Sequence, residues 1–519
     1  MPSQKKLTEK AALAIAIFIA GLCSIVYELL ISTTSSYFLG DSITQFSLTI
    51  GFYMAAMGLG SYLSKWCSDR HLAGSFIGVE VLLGLLGGAS VPMLYFFFTR
   101  LSPNAYQGLV VGLTIAIGAL TGFEIPLLAR IMKKYYPLRE NLANVMSLDY
   151  FGALIATLLF PFVLLPFMGL FSSALLFGLI NVALGVFILW YFVGHLQQQL
   201  KRWLLAASAF VAVAFAALMY QAQPLLNEWD SRAYPHRIVY SEQTPYQQLT
   251  VTKNRSDYRL YINRVIQFSS TDEYRYHEAL GIVPLESAPY AEKVLILGGG
   301  EGLLAREVLK SPRVKEITIV DLDPAVFRLG REQPYVRELN RGALDDERVT
   351  TIAQDASRFL SETENYYDLI LVDLPDPSNE AVARLYSTWF FGMARERLTA
   401  NGLLATQATS PFHTRDAFWC IVSTLEASGF SYVLPYHTYV PSFGDWGFVL
   451  AGRQAVAITP FRTNLPVRYL DADVVEAMLH FPEDSSRPPG IVANRLDQPA
   501  LLDYYLADWE KWSREALVQ

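Results

Sequence analysis

Lys293-Val294-Leu295-Ile296-Leu297-Gly298-Gly299-Gly300-Glu301-Gly302 is the stretch that decides the fold. An unbroken apolar run of strand length reads as a strand buried on both faces of a parallel sheet, since a half-buried strand alternates apolar with polar residues. The glycines that end it let backbone approach a ligand, and the helix Leu303–Leu309 follows. A second strand, Ile317-Thr318-Ile319-Val320, ends at Asp321-Leu322-Asp323, about 20 residues beyond the glycines. An acid there accepts from both ribose hydroxyls. Strand, glycines, helix, strand and acid in this order describe a nucleoside site at the carboxyl ends of parallel strands. A dinucleotide enzyme needs a pyrophosphate partner as well, whereas S-adenosyl ligands use a similar arrangement without one.

The pattern continues downstream. Val349-Thr350-Thr351-Ile352 leads into Asp355-Ala356, placed to meet an adenine amino group, and Tyr367–Val372 runs into Asp373-Leu374-Pro375-Asp376-Pro377. Two carboxylates at a strand's end, with prolines stiffening the backbone, project into the same cleft, although Asp before Pro is also a common turn former. Upstream, Gln247–Thr252 and Tyr258–Ile262 read as a hairpin around Asn254-Arg255-Ser256-Asp257. At the far end, 503–510 reads as a terminal amphipathic helix whose aromatic residues pack.

The N-terminal part is of another kind. Seven apolar segments, about 11–33, 43–64, 74–98, 106–131, 147–168, 171–194 and 203–220, are long enough to cross a bilayer. Phe167-Met168-Gly169-Leu170 is the tight hairpin between the fifth and sixth. Lys5, Lys6, Lys10, Lys65, Arg70, Arg130, Lys133, Lys134, Arg139, Lys201 and Arg202 fall on one side and Arg100 alone on the other, so the N-terminus is expected in the cytoplasm. Seven crossings would then put the C-terminal half outside. Glu28, Glu80, Glu124 and Asp149 lie within or near spans, where acids are costly and hence functional candidates, with Glu28 the deepest.

Composition agrees with two halves. Met1–Tyr220 carries a net charge of +4 and the remainder −11, within a total of −7 over 519 residues. Hydrophobic residues make up 52% and charged residues 17%, which excludes disorder and a wholly soluble enzyme. An acidic C-terminal half argues against nucleic acid as a partner and is compatible with a cationic substrate. Cys23, Cys67 and Cys420 are too far apart for a disulfide framework or a zinc site.

Taken as a set, the motifs over about residues 225–450 resemble the spermidine synthases, or polyamine aminopropyltransferases, in their membrane-fused form. Tyr246-Gln247, Gln267, Asp272-Glu273 and Tyr276-His277-Glu278 stand in the family's order, as do Gly298–Gly302, Asp321-Leu322-Asp323 and Asp355-Ala356. Asp373 and Asp376-Pro377, Gln407, Tyr439-Val440-Pro441-Ser442 and Trp446-Gly447-Phe448 complete it.

The resemblance implies aminopropyl transfer from decarboxylated S-adenosylmethionine, a co-substrate and not a resident cofactor, to a small-molecule diamine such as putrescine. The products are spermidine and 5′-methylthioadenosine, with no metal. An alkylamine has a pKa of about 10.4 and must lose a proton before it attacks. Asp373 is the expected base, with Tyr276 hydrogen-bonded nearby. Asp376 and Gln407 hold the diamine's cationic ends, and His277 and Tyr439 shape the pocket. On the donor side Gly298 and Gly300 give close approach, Glu301 takes the ammonium, Asp321 the ribose, Asp355 with Ala356 the adenine, and Gln247 the sulfur side.

This chain departs from the family at Glu301, where Asp is usual, and at Ile262-Asn263-Arg264, where Leu-Asp-Gly is. It departs also at Leu374-Pro375, and at Ser378-Asn379-Glu380, where an added acid suggests a longer or more highly charged amine. The resulting expectation is an α-helical multi-span membrane domain (1–220), an N-terminal β-hairpin region (221–285) and a Rossmann-like, methyltransferase-type α/β catalytic domain (286–519). The protein would be a homodimer in the inner cell membrane, with its catalytic half in the cytoplasm where the donor is made. A polyamine transporter with a synthase-like sensing domain and an S-adenosylmethionine-dependent methyltransferase are the alternatives.

Overall fold

A computed structural model describes residues 2–39, 42–98, 100–191, 198–222, 224–225 and 234–516. The chain forms two compact units, Met1–Pro235 and His236–Gln519.

The first unit is helical: α1 (Pro2–Leu39), α2 (Ser42–Leu63), α3 (Leu72–Phe98), α4 (Pro103–Met132), α5 (Leu138–Leu159), α6 (Leu165–Tyr191) and α7 (Gln198–Tyr220). α3 packs on α6, α2 on α4 and α1 on α5. Six helical runs are long and apolar enough to cross a membrane, one of them the 53-residue stretch Arg139–Tyr191. A straight helix of that length would measure about 80 Å, far more than one crossing needs. The run is broken at Gly169 (φ 69°, ψ 175°), and the Ser173 hydroxyl comes within 3.5 Å of the Leu164 carbonyl, so the chain turns back there. The break falls where the hairpin between the fifth and sixth segments is expected. The end of the expected sixth segment, beyond 191, lies outside the described residues.

Burial among the helices distinguishes the four acids. Glu80 and Glu124 are the acids buried in the bundle, at 0% and 2% exposure, while Glu28 is only half-buried. On α1 the buried stripe runs through Ile17, Ala20, Cys23, Ser24, Tyr27, Leu30 and Ile31, and Glu28 lies at its edge, about 90° from its middle.

The second unit has two sheets. The smaller is an antiparallel meander of β1 (Arg237–Gln243), β2 (Gln248–Asn254), β3 (Asp257–Ile262) and β4 (Val265–Ser269). The expected hairpin is β2–β3, with Asn254 opposite Asp257. The departure at Asn263-Arg264 falls on the two-residue β3–β4 turn, where φ is 48° and 70°. Positive φ at both positions is the turn type that suits a tight hairpin. Asn263 is tied to Gln248 and takes no part in the cleft described below.

The larger sheet comprises β5 (Lys293–Gly298), β6 (Glu316–Asp321), β7 (Val349–Ala353), β8 (Tyr367–Asp373), β9 (Leu398–Gln407), β10 (Tyr432–Val440) and β11 (Gly444–Gly452). Its order is β10-β11-β9-β8-β5-β6-β7; β5 to β9 run parallel, and β11 and β10 antiparallel to their neighbours. Val294, Leu295, Ile296 and Leu297 are wholly buried, as the opening run requires, and they separate the apolar layers on the two faces.

Candidate active site

The carboxyl ends of β5 and β8 lie side by side at the point where strand order reverses, and the register seats Gly298 beside Asp373. In an open parallel sheet a ligand crevice forms there. Gly298 has φ 88°, and a Cβ on it would stand 2.0 Å from the Asp373 carbonyl oxygen, so a larger residue would force the two strands apart. The crevice is a cleft of about 1170 Å³, its mouth included. One wall is apolar and comes from β3 and β4, through Leu260, Ile262, Val265 and Phe268. Gln247, Tyr276, His277, Gly298, Glu301, Asp321, Asp355, Ala356, Asp373, Asp376 and Gln407 all line it.

On the side of the glycines, Asp321 accepts from the Gly300 amide at 3.1 Å through Oδ2 and from the Asp323 amide at 3.0 Å through Oδ1. Each oxygen keeps a lone pair for a ligand hydroxyl. Burial pushes its carboxyl up to about 6, although the two amides hold it down in part. Gly300 thus acts from behind Asp321 and does not itself line the cleft. Asp323 fastens the small sheet, accepting from the Thr244 hydroxyl at 2.7 Å, and Thr244 in turn holds the Gln247 amide at 3.0 Å. Asp355 caps the helix Ala356–Glu362 through the Arg358 amide at 2.9 Å and pairs with Arg384 at 3.2 Å. Against the upward push of burial, Ser357, Arg358 and Arg384 hold its carboxyl below the usual range.

On the other side, the Tyr276 hydroxyl donates to Asp373 Oδ1 at 2.6 Å. Burial raises the Asp373 carboxyl, and burial with the Asp373 charge raises Glu301. Asp376 is 8% exposed; its Oδ2 accepts from Tyr505 at 3.0 Å, while its Oδ1 is buried without a hydrogen-bond donor. Burial pushes that carboxyl up to about 6, the Tyr505 hydroxyl and the Gln407 and Thr409 side chains offsetting part of the effect.

Gln407 lines the cleft and is also tied to its own loop. Its amide nitrogen donates to the Leu374 carbonyl at 2.8 Å and to Tyr386 at 2.5 Å, and its oxygen accepts from the Thr409 amide at 2.8 Å. It is a clamp on the loop that carries the two acids. Tyr439 is not in the cleft at all. On β10 Thr438 and Val440 are buried, so strand alternation turns Tyr439 outward, 58% exposed. The aromatic wall comes instead from Phe443 and Trp446 at the β10–β11 turn, which Ser442 secures by bonding Asp272 at 2.6 and 2.9 Å. Glu380 is exposed in the first turn of the helix Glu380–Ala383 and does not line the cleft. Tyr386 and Tyr505 escaped the sequence reading because nothing near them in the chain marks a site.

A parallel sheet with a crevice at its switch point, lined by five acids that suit a cationic ligand, is the frame of an α/β enzyme. The spermine/spermidine synthase domain family matches residues 273–459. A polyamine aminopropyltransferase of Leptospira interrogans is 41% identical over 97% of this chain and 99% of its own length. Polyamine aminopropyltransferase 2 of Ralstonia nicotianae is 40% identical over 96% and 98%. The crystal structure of spermidine synthase from Thermotoga maritima is similar at 23% identity and a TM-score of 0.44, covering 47% of this chain and 85% of that one. The chain belongs to the polyamine aminopropyltransferase family. It is an enzyme of aminopropyl transfer.

Proposed function

We propose that the donor is decarboxylated S-adenosylmethionine and the acceptor a diamine of the putrescine class, giving spermidine and 5′-methylthioadenosine. The observation that carries this reading is the unpaired Asp376 Oδ1 in the cleft that also holds Asp373. A buried carboxylate oxygen without a donor is costly, and an ammonium group supplies what it lacks. One end of a diamine therefore sits on Asp376 and the other reaches Asp373.

The reacting amine arrives protonated. Asp373, raised by burial and held by Tyr276, accepts a proton from it. The neutral nitrogen attacks the carbon beside the sulfonium, the carbon–sulfur bond breaks, and its electron pair stays on sulfur. Glu301 faces the donor's ammonium, Asp321 its ribose, Asp355 and Ala356 its adenine, and Gln247 its sulfur side. A methyltransferase reading leaves Asp376 Oδ1 with nothing to bind. The test follows thioether release by mass spectrometry with the donor and a panel of amines. Release that requires a diamine and is lost in Asp373→Asn supports the assignment; release with no amine dependence overturns it.

In the same reading the helical unit sits in the inner cell membrane and the protein is a homodimer. Lys and Arg cluster at alternate helix ends, which supports a cytoplasmic N-terminus. The donor is made in the cytosol, so we propose that the catalytic unit lies there as well, which requires one of the seven segments not to cross completely. Cysteines introduced near the C-terminus should be labelled only after permeabilisation, and labelling from outside intact cells would reverse the placement. Light scattering in detergent tests the dimer, and a monomer mass would overturn it.

A further inference from the structure

His277 is held more firmly than a residue that merely shapes a pocket needs to be. Its Nδ1 donates to the Glu273 carboxylate at 2.7 Å and meets the Glu273 carbonyl at 2.8 Å. Glu273, 1% exposed, is gripped on its other side by both terminal nitrogens of Arg306, at 2.9 and 2.8 Å. Arg306 also donates to Glu307 at 2.9 Å. With Nδ1 committed as a donor, the free nitrogen of the neutral ring is Nε2, and it lies 3.9 Å from Glu301 Oε1. One side-chain nitrogen or oxygen from each of His277, Glu301 and Asp373 lies within 4.8 Å of the other two. The charged or titratable groups around the ring are thus Glu273 and Tyr276 on its own helix, Glu301 after β5 and Asp373 at the end of β8, with Arg306 behind Glu273.

We propose that His277 is a second proton-accepting residue of the cleft, and that Glu273 and Arg306 are positioning residues that aim its Nε2 at Asp373. The proposal rests on the transfer reading above. Each turnover joins an ammonium to an aminopropyl group and releases one proton: the amine gives it to Asp373, the carbon–nitrogen bond forms and the carbon–sulfur bond breaks. Asp373 must shed that proton before the next amine binds. Nε2 takes it, and the imidazolium so formed is stabilised by the Glu273 anion, in the manner of carboxylate–histidine pairs generally. Burial lowers the ring's basicity, but Glu273, Asp373 and Glu301 outweigh it and raise it overall. Arg306 and His277 keep Glu273 ionised throughout, its carboxyl held down to about 2 against the push of burial.

The experiment is the pH dependence of kcat for the full chain, comparing wild type with His277→Gln, Glu273→Gln and Arg306→Lys. Gln at 277 keeps a polar atom near the Nε2 position without its basicity. His277→Gln should lower kcat at least ~10-fold, leave both KM values within about threefold, and abolish one acid limb of the profile. Glu273→Gln should move that limb to lower pH by about one unit, because the ring loses the anion that favours its charged form. Arg306→Lys should leave the limb in place with a smaller loss of kcat. A wild-type limb unchanged in His277→Gln overturns the proposal, as does a Glu273→Gln profile lowered evenly at every pH. Thermal unfolding of each variant separates a folding defect from either result, and Arg306→Lys keeps a cation behind Glu273 should Glu273→Gln fail to fold. Absence of amine-dependent release by the wild type would fault the transfer reading instead.

Discussion

Tyr505, in the helix Ala500–Ala516, donates a hydrogen bond of 3.0 Å to Asp376, 129 residues earlier in the chain. The C-terminal helix thus supports the amine end of the cleft, beyond packing against the helix Arg415–Ala427. A hydrogen bond to a charged group contributes about 1.5–3 kcal/mol. Tyr505 touches Asp376 and not the diamine, so only part of this reaches binding: Tyr505→Phe should raise the KM for the diamine about threefold to tenfold while leaving kcat within about twofold. The bond favours the ionised form, so its loss raises the Asp376 pKa further from about 6, and the KM defect should grow as pH falls from 8 to 6. A KM ratio that is flat with pH would sever Tyr505 from the charge on Asp376.

Asp376 also works against the stability of the unliganded protein. Its carboxyl titrates at about 6 when folded, against an ordinary value near 3.9 when unfolded. A raised folded value means the folded state binds the proton more tightly. The group is then neutral at no cost below the unfolded value, and the penalty for ionising it in place grows as pH rises through 4 to 6. At pH 8 the penalty is on the order of 3 kcal/mol. Asp376→Asn should raise unfolding stability at pH 8 by about 1–2 kcal/mol, some of the gain being lost to imperfect hydrogen bonding, and the gain should vanish near pH 4. The same substitution should weaken diamine binding at least ~10-fold. Denaturant unfolding across this pH range checks the sign, and a gain that is larger at pH 4 than at pH 8 contradicts it.

The catalytic unit was legible where chemistry sits at strand ends. Gly298, Asp321 and Asp373 close strands and Asp355 follows one two residues on, and a parallel sheet must bring such ends to one edge. Tyr439 was misplaced because strand parity is decided by a single residue: β10 buries Thr438 and Val440, and Tyr439 lies between them. Tyr505 was hidden for a different reason, since a contact across 129 residues leaves no local pattern. Asn263-Arg264, a departure from the family's pattern in the sequence, is a hairpin turn with two positive φ values. In the helical unit, hydropathy gave the apolar segments. Depth was less readable, because whether Glu28 or Glu80 is enclosed depends on which helix faces meet, as α3 and α6 do.

Tyr276 and Asp373 form a pair at 2.6 Å whose two members should fail differently. Asp373→Asn removes the proton acceptor and should cost kcat on the order of 10²–10⁴-fold. Tyr276→Phe keeps the carboxylate but loses its orienting donor, and a smaller loss of about tenfold is expected. Because the hydroxyl bond favours ionised Asp373, its removal raises the carboxyl further and should shift the acid limb of kcat upward in pH. The double variant should be no slower than Asp373→Asn alone, since Tyr276 acts through that carboxylate. Steady-state rates for the four proteins at pH 6 to 9 decide this, and a double variant slower by the product of the two single losses would show that Tyr276 acts independently.

Gln407 offers a sharper choice between direct and indirect action. Its amide joins Leu374, Tyr386 and the Thr409 backbone, holding the loop between Asp373 and Asp376 against the end of β9. If it works as a clamp, Gln407→Ala lets both acids drift, and displacement of about 1 Å costs up to ~10²-fold in rate. kcat should fall and KM rise for every diamine, by factors that do not depend on chain length. If it instead touched the far ammonium, KM alone would move, and most for the diamine whose length reaches it. Tyr386→Phe breaks one arm of the same clamp, since the Tyr386 hydroxyl lies 3.1 Å from both the Leu374 and Pro375 carbonyls. It should reproduce the Gln407→Ala pattern more weakly. Measured with diamines of three, four and five carbons, a KM effect confined to one length would return Gln407 to direct contact with the substrate.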